Sequence, residues 1–343
     1  MGPPDLTIRG AGVFGLAIAF AAARRGARVA VADPAGIGAG ASGGVVGALA
    51  PHAPGDWNAA KAFQLEALLM APDWWAAVEA ASGLSAGYAR TGRVQPLADA
   101  AAVAAAERRG AEAVRLWPER ARWEVAAAGS GWGPVSATGL VIRDRLSARL
   151  DPRRALAALA GAVRAMGGTL GPEAAAGGPV VWATGAAGLA ALGLGAGQKG
   201  QAARLGYAAP EGAAQIYAGG IHIVPHADGT VAVGSTSERV WDDPTATDAA
   251  LDAVIARARA VCPVLEAAPV IERWAGLRPR AASRQPVLGA WPGRPGEFVA
   301  NGGFKTGFGL APLVGERMAA LVLDGTADIP ADFRPYPAPP VAK

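Results

Sequence analysis

The chain of 343 residues is long enough for one large domain or two ordinary ones. Apolar residues at 52% against 17% charged exclude an intrinsically disordered chain, and 48 glycines without a collagen-like repeat point to the many tight turns of an α/β protein rather than to a helical bundle. The surplus of four basic residues is scattered; the only dense run, Arg143, Arg145, Arg149, Arg153 and Arg154, is interrupted by acids, so no nucleic-acid partner is expected.

A single cysteine, Cys262, excludes an internal disulfide and any multi-cysteine metal site, and three histidines (His52, His222, His226) make no ligand pattern, so no metal is expected. The uncharged stretch from Gly10 to Ala23 is shorter than the ~20 residues of a membrane span. The stretch from Ala174 to Gln198 is long enough, but Pro179 and seven glycines make it strand, turn and short helix. The expectation is a cytoplasmic protein with no membrane partner; a homo-oligomer is left open.

In chain order, Leu6-Thr7-Ile8 reads as a short apolar strand, followed by a glycine turn and a helix to about Arg25 that Gly26 ends. A second strand from Arg28 to Ala32 delivers Asp33, and Gly36 to Gly44 is a loop too rich in glycine for packing alone. Helices are expected at about 59–81 and 99–109, and another from Asp151-Pro152 to about Met166, with proline in its first turn. Val180-Val181-Trp182-Ala183 reads as a buried strand. Residues 200–240 look β-rich, with a hairpin turned at Asp228-Gly229. A helix at about 248–261, a strand at Val270-Ile271 and a last helix at about 310–323 complete the pattern.

The segment Gly10-Ala11-Gly12-Val13-Phe14-Gly15 sits between a strand and a helix, and the acid Asp33 follows 23 residues after Gly10. That context is the one a dinucleotide fingerprint needs. Gly10 makes the turn, Gly12 lets a pyrophosphate approach, Gly15 allows close helix packing, and the helix N-terminus faces the phosphates while Asp33 accepts from a ribose hydroxyl.

Five segments carry a resemblance to a family. They are Gly10 to Gly15; Gly40-Ala41-Ser42 with Gly47 to His52; Val180 to Gly185; Ile223-Val224-Pro225 with Val233 to Thr236; and Trp274-Ala275-Gly276-Leu277-Arg278-Pro279 continuing to Gly302-Gly303-Phe304-Lys305-Thr306-Gly307. In this order the chain resembles the FAD-dependent amino-acid and amine oxidoreductases typified by D-amino acid oxidase and sarcosine oxidase, and most nearly glycine oxidase.

The resemblance implies an α/β fold: a Rossmann-like FAD-binding domain (1–85, 140–199, 275–335) and a substrate domain of mixed β-sheet and helices (86–139, 200–274), with 336–343 a flexible tail. It implies non-covalent FAD, since no cysteine lies in a flavin-facing motif. The cofactor would be held by Gly10, Gly12, Val13, Phe14, Gly15, Asp33, Gly40, Ala41, Ser42, Ala183, Thr184, Gly185, Gly302, Gly303, Phe304, Lys305, Thr306 and Gly307. Lys305 replaces an arginine often found there and keeps its charge without its fork. The small β-meander usual between positions such as Thr169 and Val180 has no room here, which implies weaker FAD binding.

For chemistry, the resemblance implies oxidation of the C–N bond of a glycine-, sarcosine- or D-amino-acid-type substrate by hydride transfer to the flavin, with oxygen or another acceptor taking the electrons. Arg278 would grip the substrate carboxylate, unless it is a structural arginine paired with an acid such as Glu272. His222 stands where glycine oxidase has a substrate-binding tyrosine and is expected to donate to a carboxylate, or else to be a plain sheet histidine. His52 would lie beside the pocket or be structural. Two other classes stay open: a catalytically silent FAD- and carboxylate-binding subunit or sensor, and an FAD-dependent tRNA-modifying enzyme.

Overall fold

The structure, a computed structural model, describes residues 2–175 and 177–335; the tail expected at 336–343 lies outside them. Among the described residues the strands form two large sheets and a short ribbon that pairs Ala48–Leu49 with Ala148–Arg149. The six-stranded sheet runs, edge to edge, Val287–Ala290, Glu297–Asn301, Val180–Trp182, Leu6–Arg9, Val29–Ala32 and Thr169–Gly171. Its pairings are parallel except between the first two strands. The Val29–Ala32 strand is buried throughout, as an unbroken apolar run in a covered parallel sheet should be.

The helix Val13–Arg24 is buried from Val13 to Ala23, because other helices cover the sides that the sheet does not. The last helix, Gly307–Asp324, comes close through Gly315, where a Cβ would stand 2.7 Å from the Ala17 carbonyl oxygen. The helix Ala59–Ser82 closes the layer, with Trp74 edge-on to Phe20 at 5.3 Å.

The eight-stranded sheet runs Val270–Ala281, Gly195–Gly206, Thr230–Gly234, Ile221–Pro225, Gln215–Ala218, Arg93–Pro96, Leu140–Asp144 and Trp123–Ala127. All its pairings are antiparallel except Gln215–Ala218 with Arg93–Pro96. The expected hairpin at Asp228-Gly229 is present. No helix among the described residues is long and apolar enough to cross a membrane.

Three elements differ from expectation. The helix begun at Asp99 continues to Leu116, because Gly110 stays helical with its open side on the Trp123 carbonyl, 3.2 Å from where a Cβ would be. The last helix starts at Gly307, directly after the Gly302–Thr306 turn. The strand read at Val270-Ile271 reaches Ala281 and pairs with Gly195–Gly206 as one long ladder. That ladder crosses positions 199/200 and 274/275, so these two expected boundaries fall inside strands, and Leu140–Asp144, which begins at the boundary expected at 139/140, pairs in this same sheet.

A buried ion pair ties this sheet together. Arg93 Nε donates to the Asp144 carboxylate at 2.9 Å, and Asp144, fully buried, also accepts from the Ser147 amide at 2.8 Å. Removing one partner strands the other charge in a dry interior. Arg93→Met is therefore expected to cost about 3–5 kcal/mol in urea unfolding; a loss under 1 kcal/mol would show that Asp144 is satisfied without its cation.

Candidate active site

The turn after the first strand is fixed by backbone contacts. Gly10 has φ +112°, and a Cβ there would collide with the Ala183 carbonyl; a Cβ at Gly15 would collide with the Gly10 carbonyl. Only glycine fits either position. The Asp33 carboxylate accepts from the Ala11 amide at 2.8 Å and from the Ala35 amide at 3.0 Å, which anchors both loops to the end of the second strand. Beside it lies a cavity of about 360 Å³ lined by Ala11, Asp33, Gly36, Arg164 and Leu170.

The second glycine loop folds back onto this turn. Ser42, in the 3₁₀ turn Ala41–Gly43, accepts through Oγ from the Val13 amide at the first helix N-terminus, 3.0 Å away. Its hydroxyl proton stays free to donate to an anion there. A Cβ at Gly12 would lie 3.2 Å from that same Oγ, and none at Gly40 would meet anything. A helix N-terminus met only by Ser42, the hydroxyl proton of that serine, an anchored carboxylate and an adjoining cavity fit the pyrophosphate and adenosine ribose of FAD.

The more distant motifs converge on the same place. A Cβ at Gly303 would stand 2.9 Å from the Phe14 ring, and one at Gly307 3.5 Å from Val13. The Phe304 amide donates to the Pro279 carbonyl at 3.2 Å, and Thr306 Oγ1 donates to the Gly303 carbonyl. Gly302 at φ +77° and Phe304 at φ +43° put two left-handed residues in this turn, the second at a real cost for a residue with a side chain. Asn301 fastens the turn to the Thr184–Gly185 segment, donating to the Gly185 carbonyl at 3.0 Å and accepting from the Gly302 amide at 2.8 Å.

Arg278 is 7% exposed and has no acid partner among the described residues. Its Nη2 donates to Ser235 Oγ at 2.5 Å, and both Nη1 and Nη2 donate to the Thr236 carbonyl at 3.2 Å. The alternative pairing with Glu272 does not occur: Glu272 binds Arg153 at 2.6 Å and Arg204 at 3.8 Å. Burial lowers the Arg278 pKa to about 10, against the opposing pull of Glu238, so it stays cationic at neutral pH. Burial and the Arg278 charge also lower the Lys305 pKa, which places these two cations within electrostatic reach.

His222 shares a sheet face with Arg278. Directly opposed residues in an antiparallel ladder lie on one face. Tyr217, His222, Gly234, Ala202 and Trp274 form such a row, and Trp274, Gly276 and Arg278 alternate onto that same face. His222 Nδ1 lies 3.3 Å from Gln215 Oε1, while Gln215 Nε2 donates to the Ala148 carbonyl at 2.9 Å. A carbonyl only accepts, so the amide orientation is set, Nδ1 carries the proton, and Nε2 presents its lone pair.

Burial, with the Arg93 and Lys305 charges, lowers the His222 pKa to about 3. The ring is thus neutral at physiological pH and accepts at Nε2. This corrects the expectation that it donates to a carboxylate: its one proton is already given to Gln215.

His52 is held in the same manner, with its amide and Nδ1 both on Gln64 Oε1 at 2.8 and 2.5 Å, while Gln64 Nε2 donates to the Ala50 carbonyl at 3.1 Å. The residue is exposed overall, and no hydrogen bond or ion pair joins it to Arg278 or His222. Gln215, Tyr217, Ser235 and Asn301 escaped the sequence reading. Ser235 lies in a segment quoted for the resemblance, whereas Gln215 and Tyr217 gave no signal, because only the strand register sets them beside His222.

Among the described residues no cluster of His, Cys, Asp or Glu could hold a metal ion. Cys262 is free and buried. A groove of about 590 Å³ near Arg25, Glu66, Glu316 and Arg317 has its charges paired, Arg317 with Glu66 at 2.7 Å and Arg25 with Glu316 at 3.7 Å, and shares no residue with the motifs.

Residues 5–321 match the family of FAD-dependent oxidoreductases designated DAO. A glycine oxidase from Pseudomonas putida is 39% identical over 97 residues, 28% of this chain and 27% of that protein, so the matched stretch spans about a quarter of that relative's length. Likeness of fold is much broader. Glycine oxidase from Geobacillus kaustophilus superposes with a TM-score of 0.83 at 22% identity, over 97% of this chain and 98% of that one. Iminodiacetate oxidase from Chelativorans sp. BNC1 gives 0.84 at 23% identity, over 96% and 98%. With nearly the whole chain matched, the protein belongs to the FAD-dependent oxidoreductase family.

Proposed function

We propose that this protein oxidises the C–N bond of a small amine bearing a carboxylate, of the glycine, sarcosine or D-amino-acid type, to an imine that water then hydrolyses. The observation that carries this reading is the buried Arg278 guanidinium with no acid partner, on the same sheet face as the neutral His222. A buried cation held only by neutral oxygens is a poor structural element and a good receptor for a carboxylate, which a guanidinium meets with two oxygens.

Gly10–Gly15, Asp33 and Ser42 would hold the phosphate and ribose end of FAD, Ala183–Gly185 its adenosine half, and Gly302–Gly307 its flavin end. When bound, FAD supplies the hydride acceptor, and oxygen or another acceptor takes up the electrons. Arg278 binds the substrate carboxylate and so fixes the adjacent carbon. His222 Nε2 accepts an N–H of the amine. Lys305 adds positive charge beside the turn.

A second reading, an FAD-holding carboxylate binder without turnover, is favoured by one observation. His222, at a pKa of about 3, cannot serve as a base near neutral pH. An amine that arrives neutral needs no such base, which is why oxidation is preferred.

Anaerobic titration of the FAD-loaded protein with glycine, sarcosine, iminodiacetate, proline and several D-amino acids separates the two. Bleaching of the flavin absorbance by at least one is expected; firmly bound FAD that none of them bleaches would favour the silent binder. Arg278→Ala is expected to raise the KM of the bleaching amine about 100-fold or more, as loss of a charge-assisted two-oxygen contact should.

The pH dependence follows from His222. In the unfolded chain it titrates near 6.5 and in the folded protein near 3, so between these values the unfolded state holds the extra proton. Stability therefore rises with pH across that window and its His222 contribution is complete above 6.5. His222→Gln should lose less stability than wild type when taken from pH 7.5 to 4.5 in thermal melts; equal losses would place the acid sensitivity elsewhere.

A further inference from the structure

The Gly195–Gly206 and Val270–Ala281 strands carry an unusual cross-strand pair, Gly200 opposite Gly276. Glycine weakens a strand and normally marks a bend or a close approach. Neither residue has a positive φ, and the ladder is regular here, so the backbone does not demand glycine. What a side chain would lack is room. A Cβ at Gly200 would collide with the Arg278 guanidinium, whose Cζ, Nη1 and Nη2 all lie over that position. A Cβ at Gly276 would meet the Trp274 ring at 2.6 Å, and that ring in turn lies 3.3 Å from a Cβ placed on Gly44. The glycine pair is therefore a trough in the sheet face, filled from one side by an indole and from the other by the guanidinium.

The rim of the trough completes the seat. Ser235 Oγ and the Thr236 carbonyl take three hydrogen bonds from Arg278, which leaves two of its five N–H donors, Nε–H and one on Nη1, without a protein partner. Thr236 is itself braced. Its Oγ1 accepts from the Gln201 amide at 2.7 Å and donates to Glu238, and its amide donates to the Gln201 carbonyl at 3.1 Å. Gln201 Nε2 binds Glu238 at 3.1 Å and Asp248 at 2.9 Å, and the buried Lys199 lies 3.8 and 3.6 Å from the same two carboxylates. The contacts that fix the guanidinium thus engage Nη1 and Nη2, and Nε–H has no protein partner.

We propose that Gly200 and Ser235 are positioning residues for carboxylate binding. Gly200 supplies the space that lets the Arg278 guanidinium lie flat on the sheet, and Ser235 fixes its rotation through Nη2, so that the adjoining Nε–H edge is the one a substrate carboxylate meets. The proposal rests on the carboxylate-clamp reading of Arg278 and adds what sets the clamp's geometry. A methyl group at Gly200 lifts the guanidinium off the sheet without touching its charge.

The test uses the FAD-loaded full chain, with acetate, a carboxylate that has no amine to oxidise, as the probe of flavin absorbance, and the bleaching amine as substrate. In Gly200→Ala, with FAD content and thermal midpoint near wild type, the acetate Kd and the amine KM are expected to rise together about tenfold or more, with a smaller fall in kcat. Wild-type values of both in folded, FAD-loaded Gly200→Ala would overturn the proposal. Should that variant fail to accumulate folded, Ser235→Ala decides. A several-fold rise in Kd that Ser235→Thr reverses supports the seat, and an unchanged Kd in Ser235→Ala overturns it. Wild-type protein that binds no acetate and is bleached by no amine would overturn the clamp reading as well, a result that needs neither variant and is distinct from failure of the seat alone.

Discussion

A guanidinium taken out of water without a carboxylate to meet it is costly, and the architecture around Arg278 is organised by that cost. The hydrogen bonds that Arg278 donates to the neutral oxygens of Ser235 and Thr236 recover only part of the lost hydration. Acids are close at hand. Glu272 is six residues back on the same strand but is held by Arg153 and Arg204, and Glu238 is turned toward Gln201 and Lys199. The neighbouring cations hold these acids, and the buried Arg278 guanidinium has none of them. An anion arriving there recovers an electrostatic deficit already present in the fold, which is preorganisation in its simplest form.

That deficit matters for chemistry because the same contacts join it to the cofactor turns. The Phe304 amide binds the carbonyl of Pro279, the residue after Arg278; Gly303 rests on Phe14; and Trp274 rests on Gly44. The long ladder that carries Arg278 is therefore pinned to the first helix N-terminus and to the second glycine loop by backbone and ring contacts, with no flexible side chain between. His222 enters from three strands away, its ring orientation fixed by Gln215 and its protonation set by burial between Arg93 and Lys305. One end of the site thus offers fixed positive charge and the other a lone pair.

The glycine turns proposed to hold the cofactor were legible in the sequence because their backbone requirements are local. A turn that needs φ +112° at Gly10, a helix that needs Gly15 beneath it and an acid at a strand end all leave residues at fixed spacings. Arg278 was legible only through resemblance, and its freedom from Glu272 was not legible at all, since partner choice among Arg153, Arg204 and Glu272 is decided by strand register. For the same reason the hydrogen bonding of His222 was not legible: nothing in the chain near Ile223 announces that Gln215, on the adjacent strand, lies within reach to accept from its Nδ1. Gly110 misled in the other direction, because a glycine that reads as a helix stop is here a packing contact against Trp123. The length of the Val270–Ala281 strand was hidden by its composition, as Gly276 and Pro279 are poor strand formers kept in place by the partner strand and by the Phe304 amide.

The central claim, an unpartnered buried guanidinium waiting for a carboxylate, is tested most directly by a crystal structure of the FAD-loaded protein soaked in acetate. The account predicts an acetate accepting from Arg278 Nε–H and, sharing or replacing the Ser235 contact, from Nη2, on the sheet face shared with His222 and with the Thr236 contacts unbroken. An Arg278 found paired to Glu238 or another protein carboxylate, with acetate absent or bound at a different arginine, would contradict it.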